Sequence, residues 1–349
     1  MDWKKHLINE NSSIKEALIS FDALAKDALL FVVDEHYKLI GSLTDGDVRR
    51  GIIKGSSISD LASLVANKNP KFIVEDGDLS LEKLIEFRSK NYGIIPILNK
   101  KKQLVNVLNF SQTKSRLPIE AVIMAGGKGE RLKPLTDTIP KPLLLVGNLP
   151  ILEHNLNSLL TYGIKKTYLS VNYLSEQIIE FAKTKENSDF SIEIINEEFP
   201  MGTIGSVSLI NDFSTDTVLI CNSDLLTNVD LELFYLDFKK SNADLSIVTI
   251  PYTVNIPYAV LEVNEQQVIN FKEKPTYTYY SNGGMYLIKK ELLNHIPKNQ
   301  CFYATDLMEH LINNNHVVRS FPHHGYWLDI GKHEDYKRAN EDIKTLKLF

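Results

Sequence analysis

AVIMAGGKGERLKPLTDTIPKPLLLV, residues Ala121–Val146, decides how this chain is read. A short apolar strand runs into a turn carrying Gly126, Gly127 and Gly129, and a basic stretch punctuated by proline follows. The turn is not a dinucleotide fingerprint, because the third glycine of G-x-G-x-x-G would fall at position 132, where Leu132 stands. It is not a P-loop either, since no G-K-[ST] follows at the required spacing. What remains is a turn whose N–H groups can wrap an anion because no Cβ blocks its approach. Arg131 and Lys141 bring permanent cations to it, the arrangement needed where negative charge gathers on a phosphate.

Downstream, apolar runs alternate with helical stretches: LEHNLNSLLTYG, KKTYLSVN, SEQIIEFAKT, FSIEIINE, IGSVSLINDF, TVLICNSD and LELFYLDFKK. Continuous apolar strands between helices predict βαβ units and a sheet buried on both faces. Beyond Ala243 strands dominate, through LSIVTIPY, YAVLEVN, VINFKEK and GGMYLIKK, so the expected class is α/β with a mixed, mostly parallel sheet over residues 119–349. TVLICNSD ends a buried strand on an acid, Asp224, where α/β proteins place ligand contacts. A phosphoryl group in transfer normally carries Mg²⁺ held by one or two carboxylates, and Asp224 is the first candidate, with a turn or cap acid as the plainer reading.

Upstream, Val32–Asp47 can be laid over Ile97–Gln112, and each copy reads as a helix followed by a hairpin. Residues 1–116 are therefore expected to form an α+β tandem pair, about 1–63 and 64–116, packed sheet to sheet because neither copy can bury a core alone. A length of 349 residues suits two folding units. No apolar run is long enough to span a bilayer, and MDWKKHLINEN resembles neither a secretory signal nor an anchor, so a soluble cytoplasmic protein without a membrane partner is expected. A net charge of −5 with both signs interspersed gives no basic face for nucleic acid. Cys221 and Cys301 lack partners at metal-ligand spacing and are expected as reduced core or near-core thiols.

GGKGERLKPLTDTIPKPLL resembles the signature of the sugar-1-phosphate nucleotidyltransferase (NDP-sugar pyrophosphorylase) family, G-G-x-G-x-R-L-x-P-L-T followed by P-K-P-L, and the similarity continues to Gly331. The resemblance implies a Rossmann-like nucleotidyltransferase domain that joins an NTP to a sugar 1-phosphate and releases pyrophosphate. It implies that Arg131 and Lys141 embrace the reacting phosphates. GYWLDIGKHEDY is similar to the family's W-x-D-x-G segment, which implies Asp329 as a second Mg²⁺ ligand. The neighbouring His323, His324 and His333 are not expected to bind metal, since Mg²⁺ prefers oxygen. FKEKP and SNGGMYLI resemble the E-K-P and N-x-G segments, implying sugar contacts from Glu273, Lys274 and Asn282. NEEFPMGTIGS is similar to the family's E-x-E-P-L-G-T-A-G stretch, which places Gly202 and Thr203 at the nucleotide. Glu197 or Glu198 can then accept the adjacent N–H groups of guanine, so GTP is favoured, with uridylyl or cytidylyl transfer as alternatives. Cytidylyl transfer to a choline-like alcohol phosphate would need an aromatic cage, for which Tyr277, Tyr279 and Tyr280 are the candidates.

The N-terminal repeat resembles a pair of cystathionine-β-synthase-type (CBS) modules. That resemblance implies a regulatory nucleotide read by Thr44 and Asp47, with Asn109 and Gln112 at the matching places in the second copy, or else a dimerisation platform in a homo-oligomer. The combined architecture is similar to glucosamine-1-phosphate guanylyltransferases of legionaminic and other nonulosonic acid routes. A transferase half that has lost turnover and only senses nucleotide is the reading from another class.

Overall fold

Separate hydrophobic cores divide the chain into two units, 1–116 and 117–349. The structure, a computed structural model, describes residues 3–75, 80–187, 190–346 and 348. Asp78 and Leu79, which begin the stretch DLSLEKLIEFRS expected as the helix of the second copy, lie outside the described residues.

The first unit repeats one pattern. Its first copy has β1 (Leu7–Asn9), α1 (Ile14–Leu24), β2 (Leu29–Val33), β3 (Leu39–Thr44) and α2 (Asp45–Ile53), and a short α3 (Ala62–Val65) leads onward. The second has β4 (Ile73–Val74), α4 (Leu81–Ser89), β5 (Ile94–Leu98) and β6 (Leu104–Asn109). In each copy a parallel strand joins an antiparallel hairpin, and the register shift falls at matching places, between Val32 and Val33 and between Ile97 and Leu98. Alternation turns Phe31 and Val33 of one sheet toward Leu98, Leu104 and Val107 of the other, forming a shared core between the sheets. Helix α2 was not anticipated, although its start signal is explicit: Thr44 caps the amide of Asp47, and the Asp47 carboxylate accepts from the amide of Thr44.

The second unit comprises β7 (Glu120–Met124), β8 (Leu145–Val146), β9 (Leu149–Pro150), α5 (Ile151–Thr161), β10 (Lys166–Val171), α6 (Ser175–Lys183), β11 (Ser191–Asn196), β12 (Thr217–Asn222), β13 (Leu225–Thr227) and α7 (Leu231–Lys240). It continues with β14 (Leu245–Asn255), β15 (Val260–Asn264), β16 (Gln267–Lys272), β17 (Thr276–Lys289), α8 (Ala304–Asn313), β18 (Val318–Pro322), β19 (Trp327–Asp329) and α9 (His333–Asp342). Seven strands make one sheet in the order β11-β10-β7-β12-β17-β14-β18. The first four run parallel, β17 is antiparallel to both its neighbours, and β18 is parallel to β14. The strand order reverses beside β7, with β10 and β11 on one side and β12 on the other, so a crevice opens at the carboxyl ends of β7 and β12. No described helix is long and apolar enough to cross a membrane.

Two expectations fail here. The segment IGSVSLINDF gives only a 3₁₀ turn, Gly205–Leu209, because Gly205 is pressed against the Gln300 and Phe302 backbone, where a Cβ would lie 2.7 Å from the Gln300 carbonyl oxygen. Cys221 is buried on β12, but Cys301 is exposed ahead of α8 and is no core thiol.

Candidate active site

The glycine turn leaves the end of β7 at the switch point. Gly129 has φ +65°, a conformation that disfavours side chains, and its carbonyl accepts from the Thr136 hydroxyl at 2.9 Å. At Gly126 a Cβ would lie 2.8 Å from Glu197 Oε1, so that glycine is required by close approach. Gly127 faces open space, with nothing within 4 Å of where its Cβ would be. These three glycines line a cleft of about 480 Å³ together with Lys128, Arg131, Lys141, Gly202, Thr203 and Asp224. The single turn of 3₁₀ helix over Lys141–Leu143 aims the Lys141 ammonium at Asp224, and the two form an ion pair.

Asp224 stands two residues past the end of β12, and Asp329 ends β19. Pairing of β13 with β19 sets Leu225 opposite Asp329, and the Ile330 amide donates to the Asp224 carbonyl at 3.0 Å, which brings the two acids together. Asp224 Oδ1 and Asp329 Oδ1 are both buried without a hydrogen-bond partner. Burial, and next the Asp224 charge, push the Asp329 carboxyl up to about 6, while Lys141 and Arg131 pull it back. Two unsatisfied carboxylate oxygens on neighbouring acids are costly unless a cation completes them. The residues therefore fit Mg²⁺, which takes oxygen ligands from one or two carboxylates and keeps several waters. Among the described residues no group of three or more His, Cys, Asp or Glu side chains converges on a metal position. The ring nitrogens of His323 and His333 lie instead against the Tyr326 and Lys133 carbonyls.

The loop after β11 carries the expected base-reading acids, and the structure separates them. Glu197 is buried: Oε1 accepts from the Ser170 hydroxyl at 2.5 Å and Oε2 from the Met201 amide at 3.1 Å. Its carboxylate thus holds the loop Pro200–Thr203 against the sheet as it lines the cleft. Glu198 is exposed and does not line the cleft. Gly202 has φ +79° and packs on Phe302, where a Cβ would come within 2.5 Å of the carbonyl oxygen.

A second cavity of about 280 Å³ adjoins the first, sharing Thr203 and Asn222, and Asp329 forms part of its wall. Asn282 lies here, with its Nδ2 donating to the Tyr286 hydroxyl at 2.8 Å and its Oδ1 accepting from the Gly284 amide at 2.9 Å. Trp327, which donates to the Gly283 carbonyl, and Tyr303 also line this cavity; neither was singled out from the sequence, although Trp327 stands in the W-x-D-x-G segment itself. Glu273 and Lys274 do not join it. They are exposed just past β16, on a two-stranded arm beyond the main sheet, because β14 and β17 run on past its edge as a paired ribbon. Tyr277 and Tyr279 stack along one face of that ribbon with centroids 6.5 Å apart, and strand alternation sends Tyr280 to the other face, so they enclose no cage.

In the first unit, Thr44 and Asp47 are engaged with each other. Asp47 Oδ2 accepts from the Thr44 amide and hydroxyl, at 2.9 and 2.6 Å, and Oδ1 accepts from Arg50 at 2.6 Å. These contacts hold the Asp47 carboxyl below its usual range despite partial burial. The pair expected to read a ribose thus forms a helix cap. At the matching place Asn109 is buried with its Nδ2 unpaired, and its Oδ1 accepts from the Ser111 amide.

A family model described as nucleotidyl transferase matches residues 120–345. A putative mannose-1-phosphate guanyltransferase of Sulfolobus acidocaldarius is 31% identical over 235 residues, covering 66% of this chain and 64% of the relative. The mannose-1-phosphate guanyltransferase of Schizosaccharomyces pombe is 32% identical over 234 residues, 62% of each chain. The chain thus spans somewhat under two thirds of the length of these curated relatives. A solved structure of a putative glucose-1-phosphate thymidylyltransferase from Bacillus anthracis, in complex with a sucrose, shares the fold with a TM-score of 0.54 at 22% identity, over 66% of this chain and 96% of that one.

Proposed function

This chain belongs to the nucleotidyl transferase family, and from that premise we propose that residues 117–349 transfer a nucleoside monophosphate from an NTP, GTP in the first place, to a sugar 1-phosphate. The observation that carries the reading is the pair of buried, unsatisfied oxygens of Asp224 and Asp329, set between two adjoining cavities and next to Lys141 and the Arg131 loop. The larger cavity suits the nucleotide, with its triphosphate along the glycine turn under Lys128, Arg131 and Lys141. The smaller suits the sugar, with Asn282, Trp327 and Tyr303 offering polar contacts and aromatic faces. An ionised oxygen of the sugar phosphate attacks the α-phosphorus, the bond from that phosphorus to the bridging oxygen breaks, and pyrophosphate leaves with the electron pair. No proton transfer is required, so positioning and charge neutralisation by the chain's own cations supply the rate. Mg²⁺ held by Asp224 and Asp329 would neutralise charge on the phosphates.

Guanine is favoured because two relatives named as guanyltransferases match this region. Residues 1–116 read best as a regulatory or associating pair of CBS-type modules, on the strength of the repeated strand, helix and hairpin. The deciding experiment is a matrix of GTP, UTP, CTP, ATP and dTTP against mannose, glucosamine and glucose 1-phosphates in Mg²⁺, read by pyrophosphate release. Fastest turnover with GTP and one of these sugars is expected. A preference for UTP or CTP would overturn the base, and silence throughout would overturn the transferase.

A further inference from the structure

At the end of the large sheet opposite Asp224, histidines from three successive segments stand together. β17 runs antiparallel to β12 with Lys289 opposite Thr217, so β17 leaves the sheet at the edge where β12 enters it. The 3₁₀ turn Lys290–His295 follows, His310 stands in the last turn of α8, and His316 lies in the link from α8 to β18. His295 Nδ1 and His310 Nε2 are 3.0 Å apart, with ring centroids at 4.8 Å and planes at 45°. The His316 ring lies 5.9 Å from that of His295, and its Nδ1 faces Asp244 Oδ2 at 3.3 Å. Asp244 also accepts from the Lys289 ammonium at 2.7 Å and the Val317 amide at 2.8 Å. None of the three rings lines either cavity of the transferase site.

Two neutral imidazoles in such a contact hold one proton between them, one ring donating and the other accepting. When the donating ring takes its other tautomer, two nitrogen lone pairs face one point. A cation bonded to both at about 2.0–2.1 Å, at an angle between square and tetrahedral, holds its nitrogens about 2.8–3.4 Å apart. The observed separation of 3.0 Å falls in that range, so chelation asks for a tautomer shift and little movement. Imidazole nitrogen suits Zn²⁺ and Cu²⁺, whereas Mg²⁺ and Mn²⁺ prefer oxygen. His295 and His310 are both exposed, so water can complete the coordination shell. His316 does not converge on the same point, in keeping with the lack of a three-ligand group among the described residues. The two segments already share one core, through Leu293 and Ile296 on one side and Leu307 and Leu311 on the other.

We infer that His295 and His310 chelate one divalent transition-metal ion, Zn²⁺ in the first place, which clips the 3₁₀ turn to α8. The site lies apart from Asp224 and Asp329 and uses nitrogen where they use oxygen, so its standing does not depend on the proposed reaction. Because the native chain binds the ion and the unfolded chain has no such chelate, occupancy adds to the stability of the second unit.

The test titrates the full chain calorimetrically with Zn²⁺, in buffer that holds excess Mg²⁺ and no chelator. One equivalent is expected to bind with a micromolar dissociation constant, Cu²⁺ to bind more tightly, and Mn²⁺ to leave Zn²⁺ in place. His295→Gln and His310→Gln, both at exposed positions, are each expected to weaken Zn²⁺ binding at least about tenfold, since either leaves one nitrogen of two, whereas His316→Gln stays within about threefold. Electron paramagnetic resonance of bound Cu²⁺ is expected to show two nitrogen ligands in the unaltered chain and one in either of the first two variants. Zn²⁺ is also expected to raise the Tm of the unaltered chain but not that of His310→Gln. Saturation that needs millimolar Zn²⁺, or binding indifferent to both His295→Gln and His310→Gln, overturns the site. A loss in His316→Gln as large as in the other two overturns the two-nitrogen chelate, and binding at the pair without a rise in Tm overturns the clip.

Discussion

At the scale of single residues, the site separates acids that look alike in sequence. Asp224 has one oxygen on Lys141 and one without a partner, so Asp224→Asn removes charge from the proposed metal position without emptying the space. Turnover is expected to fall more than about a hundredfold, the usual cost of losing a preformed electrostatic contact, and Mn²⁺ binding followed by electron paramagnetic resonance should weaken in parallel. Unchanged Mn²⁺ affinity would remove the metal assignment. Glu197 has both oxygens engaged within the protein. In Glu197→Gln the amide can keep both contacts, its N–H₂ donating to the Ser170 hydroxyl, which donates onward to Ser206, and its oxygen accepting from Met201, but two charge-assisted hydrogen bonds become neutral ones, a weakening worth about 1 kcal/mol. The loss of kcat/KM is therefore expected to fall on GTP and UTP alike, and Glu198→Gln, at an exposed position outside the cleft, is expected to leave their ratio unchanged. The alternative, that Glu197 itself reads guanine, requires the ratio to collapse in Glu197→Gln. The thiols divide as well: burial pushes Cys221 up to about 12, so iodoacetamide on the native chain is expected to label exposed Cys301 alone, as peptide mass mapping would show.

At the scale of elements, a helix start and a ligand site use the same side chains, and local geometry decides between them. Thr44 and Asp47 satisfy the first amides of α2 and their own backbone, so Thr44→Ala is expected to cost the first unit about 1 kcal/mol of stability, seen in urea unfolding by circular dichroism. A loss of nucleotide affinity with no loss of stability would return the pair to a binding role. This is also where sequence reading reaches its limit. The glycine turn and Asp224 were legible because they follow the apolar strands β7 and β12, where the sheet delivers side chains to a crevice, and Arg131, Lys141 and Asp329 because they stand in the short motifs that carry the resemblance. The engagement of Glu197 was not legible, since Ser170 lies on a neighbouring strand and only the pairing of β10 with β11 brings it near. The displacement of Glu273 and Lys274 was equally hidden: an E-K-P motif says nothing of how far β14 and β17 run past the sheet before it.

At the scale of the molecule, each unit encloses its own core, the second around Val122, Ile220 and Ile288 and the first around Ile14, Leu30 and Leu43. Residues 119–349 alone are accordingly expected to release pyrophosphate from the preferred NTP and sugar phosphate at a rate within about tenfold of the full chain, about 1.4 kcal/mol in barrier. A fragment that folds, by circular dichroism, but does not turn over would show instead that the first unit takes part in chemistry. The pairing of β13 with β19 has a further consequence, in time rather than in space. Asp224 emerges from the ribosome well before the strand that brings Asp329 to it. A nascent chain halted between the two already displays the complete glycine turn but lacks half of its carboxylate pair, so the proposed chemistry waits on the making of β19.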